Sequence, residues 1–402
     1  MARVVDTGQR EAGTLAVESV APEAWERIDD WDEVVAESAA PSIFLTRDWI
    51  SAWWDSFGAG LDPCLLRVAA ADGRTLGIAP IYLERLRVPA TRLGLLGDRV
   101  VGSEYLGLAA RRGSEAEVAR AAAEWLDAER PPWHLAELSG LREADPAARE
   151  LELALGARGA RADEEEHPCS AIALPRDFEE YLARLSSKFR RRYRQRTNKL
   201  LRSCEVRFLR AESDADLSAQ LAVLFRLHQA RWIEAGQPGA FADRRTRSFY
   251  LDVSRRLLRS GGLRFWHLEA DGAIRASQFG FAYNGVLHSL QEAYDSEFSP
   301  PGVGGLGVVL RGHVLRTAIE EGLRSYDFLG GVEDHKLRWG ASVHYVRRVR
   351  FARPGATGRG AWLATVGAKS ARESVKSALP EPVLDALRAG RASYHRRRGR
   401  CG

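Results

Sequence analysis

The sequence predicts an α+β protein built from two domains of mixed helix and strand. Its 402 residues exceed the roughly 100 to 200 of an ordinary domain, so two domains are expected. Hydrophobic residues make up 45% and charged residues 28% of the chain, a balance typical of globular proteins that excludes wholesale disorder, collagen and coiled coil. Asp-Gly turns ending at Gly73 and Gly272 each join two apolar-rich runs, and these similar hairpins indicate a duplicated domain.

The first half combines helical spacing of apolar residues with one hairpin. We expect two helices within residues 24–57, strands at 64–71 and 75–84, a strand within 94–108, a helix at 114–130 and a strand at 133–138. An acidic stretch rich in Gly and Ala, residues 155–167, is predicted to be the linker to the second domain.

The second half repeats this arrangement with more helix. We expect helices at 177–201, 214–235 and 243–259, strands at 263–269, 273–283 and 286–293, a helix at 306–321, a strand at 325–328 and a final strand at 343–351. The predicted domains are therefore 1–165 and 170–355, followed by a basic tail at 356–402 that is helical or disordered.

The net positive charge comes from two segments. The formal charge is +5, yet residues 356–402 carry ten bases against three acids, and residues 184–202 carry nine bases and no acid. Because like charges along a helix repel each other, we expect the 184–202 helix to face an anionic ligand; phosphate, an acidic substrate or RNA would each serve. The tail is expected to be solvated or to touch an anionic membrane peripherally, and no stable nucleic-acid partner is expected.

Neither a metal site nor a secretory route is indicated. The cysteines, Cys64, Cys169, Cys204 and Cys401, are far apart, with no Cys-x-x-Cys pair and no histidine pair at metal-ligand spacing. The first 20 residues lack the apolar core of a signal peptide, and no stretch approaches the roughly 20 apolar residues of a membrane helix. We therefore expect a cytoplasmic protein without a metal cofactor.

A glycine-rich connection joins a predicted strand to a predicted helix. It contains Gly302, Gly304, Gly305 and Gly307. Glycines let the backbone approach a ligand closely, and the free N–H groups of a helix N-terminus attract anions. The spacing is that of neither a Walker loop nor a dinucleotide-binding motif. Two interpretations stay open, a flexible connection and a site for a phosphate-bearing ligand.

Polar side chains crowd into residues 326–340, after a predicted strand. They include Asp327, Glu333, His335, Lys336, Arg338 and Trp339. The carboxylates and the imidazole are candidate general bases, and the two cations could hold anionic oxygens. The alternative is a solvated polar turn around a structural tryptophan.

These three segments together resemble the C-terminal half of the BioF2-like, CelD/BcsL-type acetyltransferases. That group belongs to the GNAT superfamily and is related to the FemAB peptidyltransferases. The resemblance rests on the basic helix Leu-Ser-x-Lys-x-Arg-x-x-x-Arg from Leu185, the Pro-Gly loop entering a helix, and the signature Tyr-Asp-Phe-Leu-x-Gly-x-Glu-x-x-Lys-x-x-Trp-Gly from Tyr326. It is clearest over residues 171–351 and weaker over 24–138.

The resemblance implies tandem GNAT-like domains, each a mixed, mostly antiparallel sheet flanked by helices, with the first domain a scaffold. It implies transfer of an acetyl or other acyl group from acyl-CoA to an amine or hydroxyl of a small-molecule or saccharide acceptor, in cell-envelope or exopolysaccharide chemistry. Two alternatives stay open: a Fem-type peptidyltransferase that uses aminoacyl-tRNA, and an inactive scaffold that binds an anionic polymer.

Residue roles follow from the same resemblance. Gly302, Gly304, Gly305 and Gly307 would hold the CoA pyrophosphate. Direct acyl transfer needs a base for the acceptor's proton and donors for the oxyanion. The expected base or acceptor-orienting group is Glu333 or Asp327, with His335 as a further candidate. The residues expected to bind substrate are Lys336, Arg338, Trp339, Tyr294, Lys188 and Arg192.

Overall fold

The computed structural model describes residues 3–5, 15–98, 101–129, 132–234, 239–298 and 304–367, and these fall into two compact units. The first unit contains the described residues up to His167 together with residues 345–367, and the second contains those from 168 to 344. Gly302 and residues 368–402 of the predicted tail lie outside the described residues.

The first unit is a mixed sheet with helices around it. Its strands are β1 (Arg3–Val5), β2 (Leu15–Val20), β3 (Asp62–Ala69), β4 (Thr75–Arg85), β5 (Thr91–Leu95), β6 (Ala109–Ala110) and β7 (Leu135–Arg142). Its helices are α1 (Trp31–Glu37), α2 (Arg47–Phe57), α3 (Glu115–Glu129) and α4 (Pro146–Gly156), with short 3₁₀ turns at Pro22–Arg27 and Ile43–Leu45.

Two further strands belong partly to each unit. They are β8 (Ala160–Ala173), which enters the second unit at residue 168, and β14 (Ser342–Ala352), whose residues from 345 onward belong to the first unit. Within the first unit the strand order is β1-β2-β3-β4-β5-β7-β14, and β6 also pairs with β4. All these pairings are antiparallel except that of β5 with β7.

Buried tryptophans form the core between the helices and the sheet of the first unit. Trp25 and Trp31 pack edge to face with ring centroids 6.0 Å apart. The indole N–H of Trp31 donates to the Leu45 carbonyl at 2.8 Å, and that of Trp53 donates to the Asp98 carbonyl at 2.7 Å. A buried indole needs such a partner, so the aromatic spacing that predicts the helices also fixes how they pack.

The predicted linker at 155–167 is wrong, because its acidic part forms the first half of β8. Arginines of β14 neutralise the acids: Arg348 donates to Glu165 at 3.1 Å and Arg350 to Asp163 at 2.9 Å. Opposite charges placed side by side in a sheet stabilise it. The acidic residues that suggested a solvated linker instead form ion pairs with the arginines of β14.

The second unit contains the remaining elements. Its strands are β9 (Val206–Arg210), β10 (Leu263–Ala270), β11 (Ala273–Tyr283), β12 (Val286–Tyr294) and β13 (Ser325–Gly330). Its helices are α5 (Phe178–Arg184), α6 (Ser187–Ser203), α7 (Asp214–Glu234), α8 (Arg244–Arg259), α9 (Leu306–Glu320) and α10 (Asp334–Leu337), with a 3₁₀ turn at Ala240–Ala242. Residues Ala356–Trp362, at the start of the predicted tail, form α11 of the first unit and continue as a π-helical turn at Leu363–Gly367.

The sheet of the second unit has the order β8-β13-β12-β11-β10-β9. Its pairings are antiparallel apart from the parallel pair β12–β13. Helices α5, α6 and α9 pack with the sheet in one core that includes Tyr181, Leu200 and Leu315. Each unit is thus a mixed, mostly antiparallel sheet flanked by helices, which confirms the predicted α+β class.

The single helix predicted at 177–201 is in fact two helices. Leu185 is extended and ends α5, and the Ser186 hydroxyl accepts from the Phe189 N–H to cap α6. The break lets α5 pair with the basic helix, because Arg194 of α6 bonds to Glu179 of α5; Arg184 bonds to Glu180 within α5. Part of the positive charge of residues 184–202 is therefore neutralised within the unit.

Helices α6 and α9 approach each other at one glycine. A Cβ atom on Gly312 of α9 would overlap the ring of Tyr193 of α6. Tyr193 also packs edge to face against Trp339, with ring centroids 5.6 Å apart. The absence of a side chain at Gly312 therefore sets the distance between the basic helix and the helix that follows the glycine-rich loop.

Replacing Gly312 by alanine should destabilise the protein by about 1–3 kcal/mol, because the added methyl group forces the Tyr193 ring out of its position. Urea denaturation measures this change. The control is Gly360→Ala in α11, where a Cβ meets nothing within 4 Å and alanine favours the helix. Equal stability of Gly312→Ala and the wild type would contradict the close approach of α6 and α9.

Candidate active site

The strands β12 and β13 part in the middle of the second unit's sheet. They pair in parallel at three positions only, from Val286 opposite Ser325 to His288 opposite Asp327. Beyond these, β12 stays paired with β11 as far as Tyr294, and β13 stays paired with β8. Beyond His288 and Asp327 the two strands have no register pair, and we call this parting the gap; the next helices along the chain after β12 and β13 are α9 and α10.

A β-bulge lies on β12 at the point where the strands part. Ser289 faces Gly280 and Gln291 faces Phe279 on β11, so Leu290 between them has no register partner. A Cβ on Gly280 would collide with the His288 carbonyl, so only glycine fits opposite the bulge. Bulges turn side chains and free backbone groups toward a site.

The strand β13 is irregular at the same level. Its register shifts between Asp327 and Gly330, and Leu329 between them has a positive φ of 58°. The Asp327 carboxylate accepts from the Leu329 N–H at 2.7 Å. This bond supports a backbone conformation that leucine rarely adopts. Asp327, one of the predicted bases, is thus buried and supports the irregular backbone of β13 at Leu329.

A buried ion pair lies beside the gap. Arg311 of α9, only 4% exposed, donates to the Glu292 carboxylate of β12 with both Nε, at 3.0 Å, and Nη2. The Tyr326 hydroxyl approaches the same carboxylate at 3.4 Å and accepts from Gln278 at 2.9 Å. Burial would raise the pKa of Glu292, but the charge and hydrogen bonds of Arg311 outweigh it and hold the pKa below its usual value.

His335 of α10 is the imidazole of the site. Its pKa is lowered, first by partial burial and then by the positive charge of Arg311, although Glu292 opposes this. The group is therefore neutral at pH 7 and able to accept a proton. Among the described residues, His335 has no hydrogen-bond partner that would occupy its ring nitrogens.

A cleft of about 370 Å³ opens at His335. Its walls come from α6, the first turn of α9, and α10 with the residues after it; they are Ser186, Lys188, Phe189, Arg192, Tyr193, Arg196, Val308, His335, Arg338 and Trp339. Four of these residues are cations and none is a carboxylate. The structure therefore brings four predicted site residues, Lys188, Arg192, Arg338 and Trp339, together with His335.

The helix α9 begins next to this cleft. Its N-cap, Gly305, has a φ of 81°, and a Cβ there would lie 3.0 Å from the Arg196 guanidinium. The N–H groups of Leu306 and Gly307 have no partner among the described residues, as is usual in a first helical turn. Gly304 faces open space. The loop end and Arg196 together offer several donors to an anion.

Tyr294 ends β12 close to this helix start. Its ring would lie 3.6 Å from a Cβ on Gly307, and the side chain is 41% exposed. The guanidinium of Arg231, on α7, lies 5.8 Å from the centre of its ring. Tyr294 is thus near the glycine-rich loop, although it does not line the cleft.

Lys336 and Glu333 hold the turn after β13. The Lys336 ammonium donates to the carbonyls of Gly330 and Gly331 at 2.7 and 3.2 Å and lies 3.0 Å from Glu333. These contacts use all three of its protons. Burial would raise the pKa of Glu333, but the hydrogen bond and charge of Lys336 outweigh this effect, so the pKa is below its usual value. A lower pKa makes Glu333 a weaker base. Whether either residue touches substrate stays a prediction.

Trp339 forms the inner wall of the cleft. It is fully buried, and its ring packs edge to face against Phe189 with centroids 4.9 Å apart. The Tyr181 hydroxyl donates to its carbonyl at 2.6 Å. These contacts fix the chain after α10 against α5 and α6, so Trp339 positions its neighbour Arg338.

Sequence reasoning missed Glu292, Arg311 and Arg196 as members of the site. Arg311 carried a usable signal, because it is a lone charge within the apolar run Leu306–Leu315 of α9. A charge in such a position must find a buried partner. Which carboxylate pairs with it depends on tertiary structure and has no local sequence signal.

The corresponding gap in the first unit is bridged by its own chain. Strands β5 and β7 pair in parallel at two positions, Arg92 with Leu135 and Leu93 with Ala136. Further along, the Leu106 N–H donates to the Gly140 carbonyl of β7 at 3.0 Å. Backbone from the segment after β5 thus pairs with β7 beyond the point where β5 and β7 part.

The described ranges contain neither a membrane-spanning helix nor a metal-binding cluster. No helix in them is both long and apolar enough to span a bilayer. They also contain no group of three or more His, Cys, Asp or Glu side chains placed to hold a metal ion.

Comparisons with known proteins agree with this geometry. Residues 187–337 match the family model described as an acetyltransferase (GNAT) domain. A comparison with curated proteins found no match. The crystal structure of FemX is similar at 12% identity with a TM-score of 0.58, covering 83% of this chain and 96% of that one.

Two more solved structures share the fold. A conserved protein of unknown function from Bacteroides thetaiotaomicron has 14% identity and a TM-score of 0.53, with 84% of this chain and 99% of that chain covered. L-PGS from Bacillus licheniformis has 13% identity and a TM-score of 0.50, with 89% and 98% covered. The chain therefore shares the fold of these structures, and residues 187–337 match a GNAT domain model.

Replacing Glu292 by alanine should cost about 3 kcal/mol of stability, because it leaves the Arg311 charge buried without a partner. The loss is at the low end for a buried pair, since 25% of the Glu292 side chain is exposed. Urea denaturation measures it. The double variant Glu292→Met/Arg311→Met should regain most of the loss, because it removes both charges.

The pH dependence follows from the lowered pKa of Glu292. The pair stabilises the fold fully above the unfolded pKa of about 4.3, and this contribution is lost as pH falls through the lower folded pKa. The double variant should lack this part of the acid sensitivity. A single variant as stable as the wild type would contradict the ion pair.

Proposed function

We propose that the second unit transfers an acyl group from acyl-CoA directly to an amine or hydroxyl acceptor. The observation that carries this proposal is the parting of β12 and β13 beside the start of α9 and the neutral imidazole of His335. The match of residues 187–337 to an acetyltransferase domain supports an acyl-CoA donor. The match is to the domain family and leaves the acyl group and the acceptor as proposals.

The donor would lie with its phosphates at the start of α9. There the N–H groups of Leu306 and Gly307 lie in the first turn of α9 without a described partner, and the Arg196 guanidinium lies beside Gly305. Helix N-termini bind phosphate through such amides and the helix dipole. The thioester arm would then extend into the gap between the strands and bring its carbonyl to the bulge at Leu290.

The chemistry requires one base and one oxyanion donor. A neutral His335 takes the proton from the acceptor's amine or hydroxyl as the acceptor attacks the thioester carbonyl. The backbone N–H of Leu290, which lacks a register partner on β11, would donate to the oxyanion that forms. The C–S bond then breaks, and the proton on His335 passes to the leaving sulfur. No covalent enzyme intermediate is needed.

A second candidate donor is aminoacyl-tRNA, as in Fem-type transfer. It is favoured by cations of α6 that do not line the cleft, Arg191, Lys199 and Arg202, which have no ion pair with any described residue. They continue the positive surface along a helix of about 25 Å, longer than a CoA phosphate group requires. An inactive scaffold that binds an anionic polymer would use the same surface.

Acetyl-CoA should bind the wild type in a calorimetric titration, and Gly304→Val should weaken binding at least tenfold by filling the space where the phosphates lie. A Cβ at Gly304 meets nothing within 4 Å, so the fold should be unaffected. Gly360→Val, also in open space but in the first unit, is the control. Absence of binding to the wild type would rule out the acyl-CoA donor.

His335→Ala should lower kcat by about 10²–10⁴-fold with little change in the KM for acyl-CoA, because it removes the base and no donor contact. Asp334→Asn is the control, since Asp334 is 90% exposed and adjacent in sequence. Wild-type kcat should fall only below about pH 6.5, the ordinary histidine pKa, because the pKa of His335 is lowered. An unchanged kcat in His335→Ala would remove His335 from the reaction.

Salt dependence separates the two donors. Transfer from acyl-CoA should weaken only modestly between 50 and 200 mM salt, whereas transfer from aminoacyl-tRNA should fall by orders of magnitude because several phosphate contacts are lost. Measured rates with each donor at both salt concentrations decide between them. Turnover only with charged tRNA would replace the acyl-CoA proposal.

A further inference from the structure

We propose that the cleft at His335 binds the acceptor, and that this acceptor is a small molecule carrying a phosphate or diphosphate group besides its amine or hydroxyl. The identification of the bound molecule as the acceptor rests on the function proposed above. The existence of an anion site rests only on the geometry of α6, α9 and α10. A neutral amine or alcohol would leave the charge of this cleft without a counterpart.

The wall of the cleft is positively charged. Lys188, Arg192 and Arg196 have no ion pair with any described residue. Arg338 has only a long contact of 3.9 Å to Asp334, a side chain 90% exposed to solvent. Four cations around about 370 Å³ without a lining carboxylate repel one another, and an anionic ligand relieves this repulsion.

Arg190 and Arg194, on the other side of α6, already have partners within the unit. Arg190 donates to the carbonyls of Leu182 and Ala183 and so caps α5, and Arg194 bonds to Glu179 at 2.6 Å. The side of α6 that packs on its own unit is neutralised there. The side that lines the cleft is left charged.

The cleft-lining cations of α6 are evenly spaced along the helix. Lys188, Arg192 and Arg196 are four residues apart and therefore lie on one side of α6. Each step along the helix axis is about 6 Å, so the row spans about 12 Å. One phosphate group contacts at most part of such a row. A diphosphate can contact two neighbouring cations of the row at once, and a phosphate with a second, separate anionic group can reach along it.

The position of His335 assigns the cleft to the acceptor. A general base must reach the nucleophile it deprotonates, and His335 lines the same cleft as the four cations. The partly buried ring of Phe189 and the ring of Tyr193 supply an apolar wall for the rest of the molecule. The volume is at the lower end of the range for small-molecule sites and cannot enclose a polymer.

Calorimetry with inorganic pyrophosphate tests the site in the full-length protein. With saturating CoA present to occupy the phosphate site at the start of α9, pyrophosphate should still bind, because Lys188, Arg192 and Arg338 line the cleft and are not assigned to the donor. Arg192→Ala should weaken pyrophosphate binding roughly tenfold or more by removing charge-assisted hydrogen bonds, and should leave CoA affinity unchanged. Arg191→Ala, the exposed neighbour on α6 that does not line the cleft, should change binding less than twofold.

Four results would overturn the proposal. Loss of all pyrophosphate binding when CoA is saturating would assign the cleft to the donor. Equal effects of Arg191→Ala and Arg192→Ala, or absence of pyrophosphate binding, would show that the cleft is not an anion site. Binding of a short single-stranded RNA that depends on Arg191, Lys199 and Arg202 as much as on Arg192 would make α6 a nucleic-acid surface.

The test also separates this proposal from the proposed function. Pyrophosphate binding that depends on Arg192, in a protein that does not bind acetyl-CoA, would leave the anion site standing and reject the acyl-CoA donor. Acetyl-CoA binding without pyrophosphate binding would leave the donor standing and reject the phosphorylated acceptor.

Discussion

The short pairing of β12 with β13 is the constraint on which the site in the second unit depends. Once the strands stop exchanging hydrogen bonds after His288 and Asp327, each must satisfy its backbone in another way. On β12 this produces the bulge at Leu290, and on β13 the left-handed Leu329 supported by Asp327. The irregular backbone of both strands thus accompanies the end of their pairing.

Two oppositely charged side chains near this gap are buried and paired with each other, whereas the cations that line the cleft are not. Arg311 and Glu292 are held together beside the gap, where either alone would be costly. Their opposing fields act on His335, and with partial burial the net result is a neutral imidazole. Lys188, Arg192 and Arg196 of α6, together with Arg338, line the cleft and lack such buried partners. The charges of the buried Arg311–Glu292 pair thus balance each other, whereas the cations that line the cleft need an anionic ligand to balance theirs.

The sequence predicted the second unit well because its signals are local. The helices and strands from 214 to 351 have clear apolar periods, and the Asp-Gly turn at Gly272 fixes one hairpin. The polar cluster around His335 was found because its residues lie close together along the chain. Lys188, Arg192 and Arg338, three of the predicted substrate-binding residues, line one cleft, and their contact with substrate stays a prediction.

The errors have physical causes that local patterns do not contain. The acids of β8 were interpreted as a linker because the arginines that neutralise them lie about 180 residues later, on β14. The break at Leu185 was missed because Leu is a good helix former and the capping serine looked like part of the helix. Glu292 was missed because its partner Arg311 lies on another element. Each case depends on contacts distant in sequence.

The central claim is that an acyl donor lies between β12 and β13 of the second unit, whereas the equivalent gap of the first unit is filled by the Leu106–Gly140 contact. Hydrogen–deuterium exchange with and without CoA tests it most directly. We predict slower exchange in peptides covering 286–294 and 304–312, and unchanged exchange over 101–110 and 135–142. Protection in the first unit, or none in the second, would contradict the account.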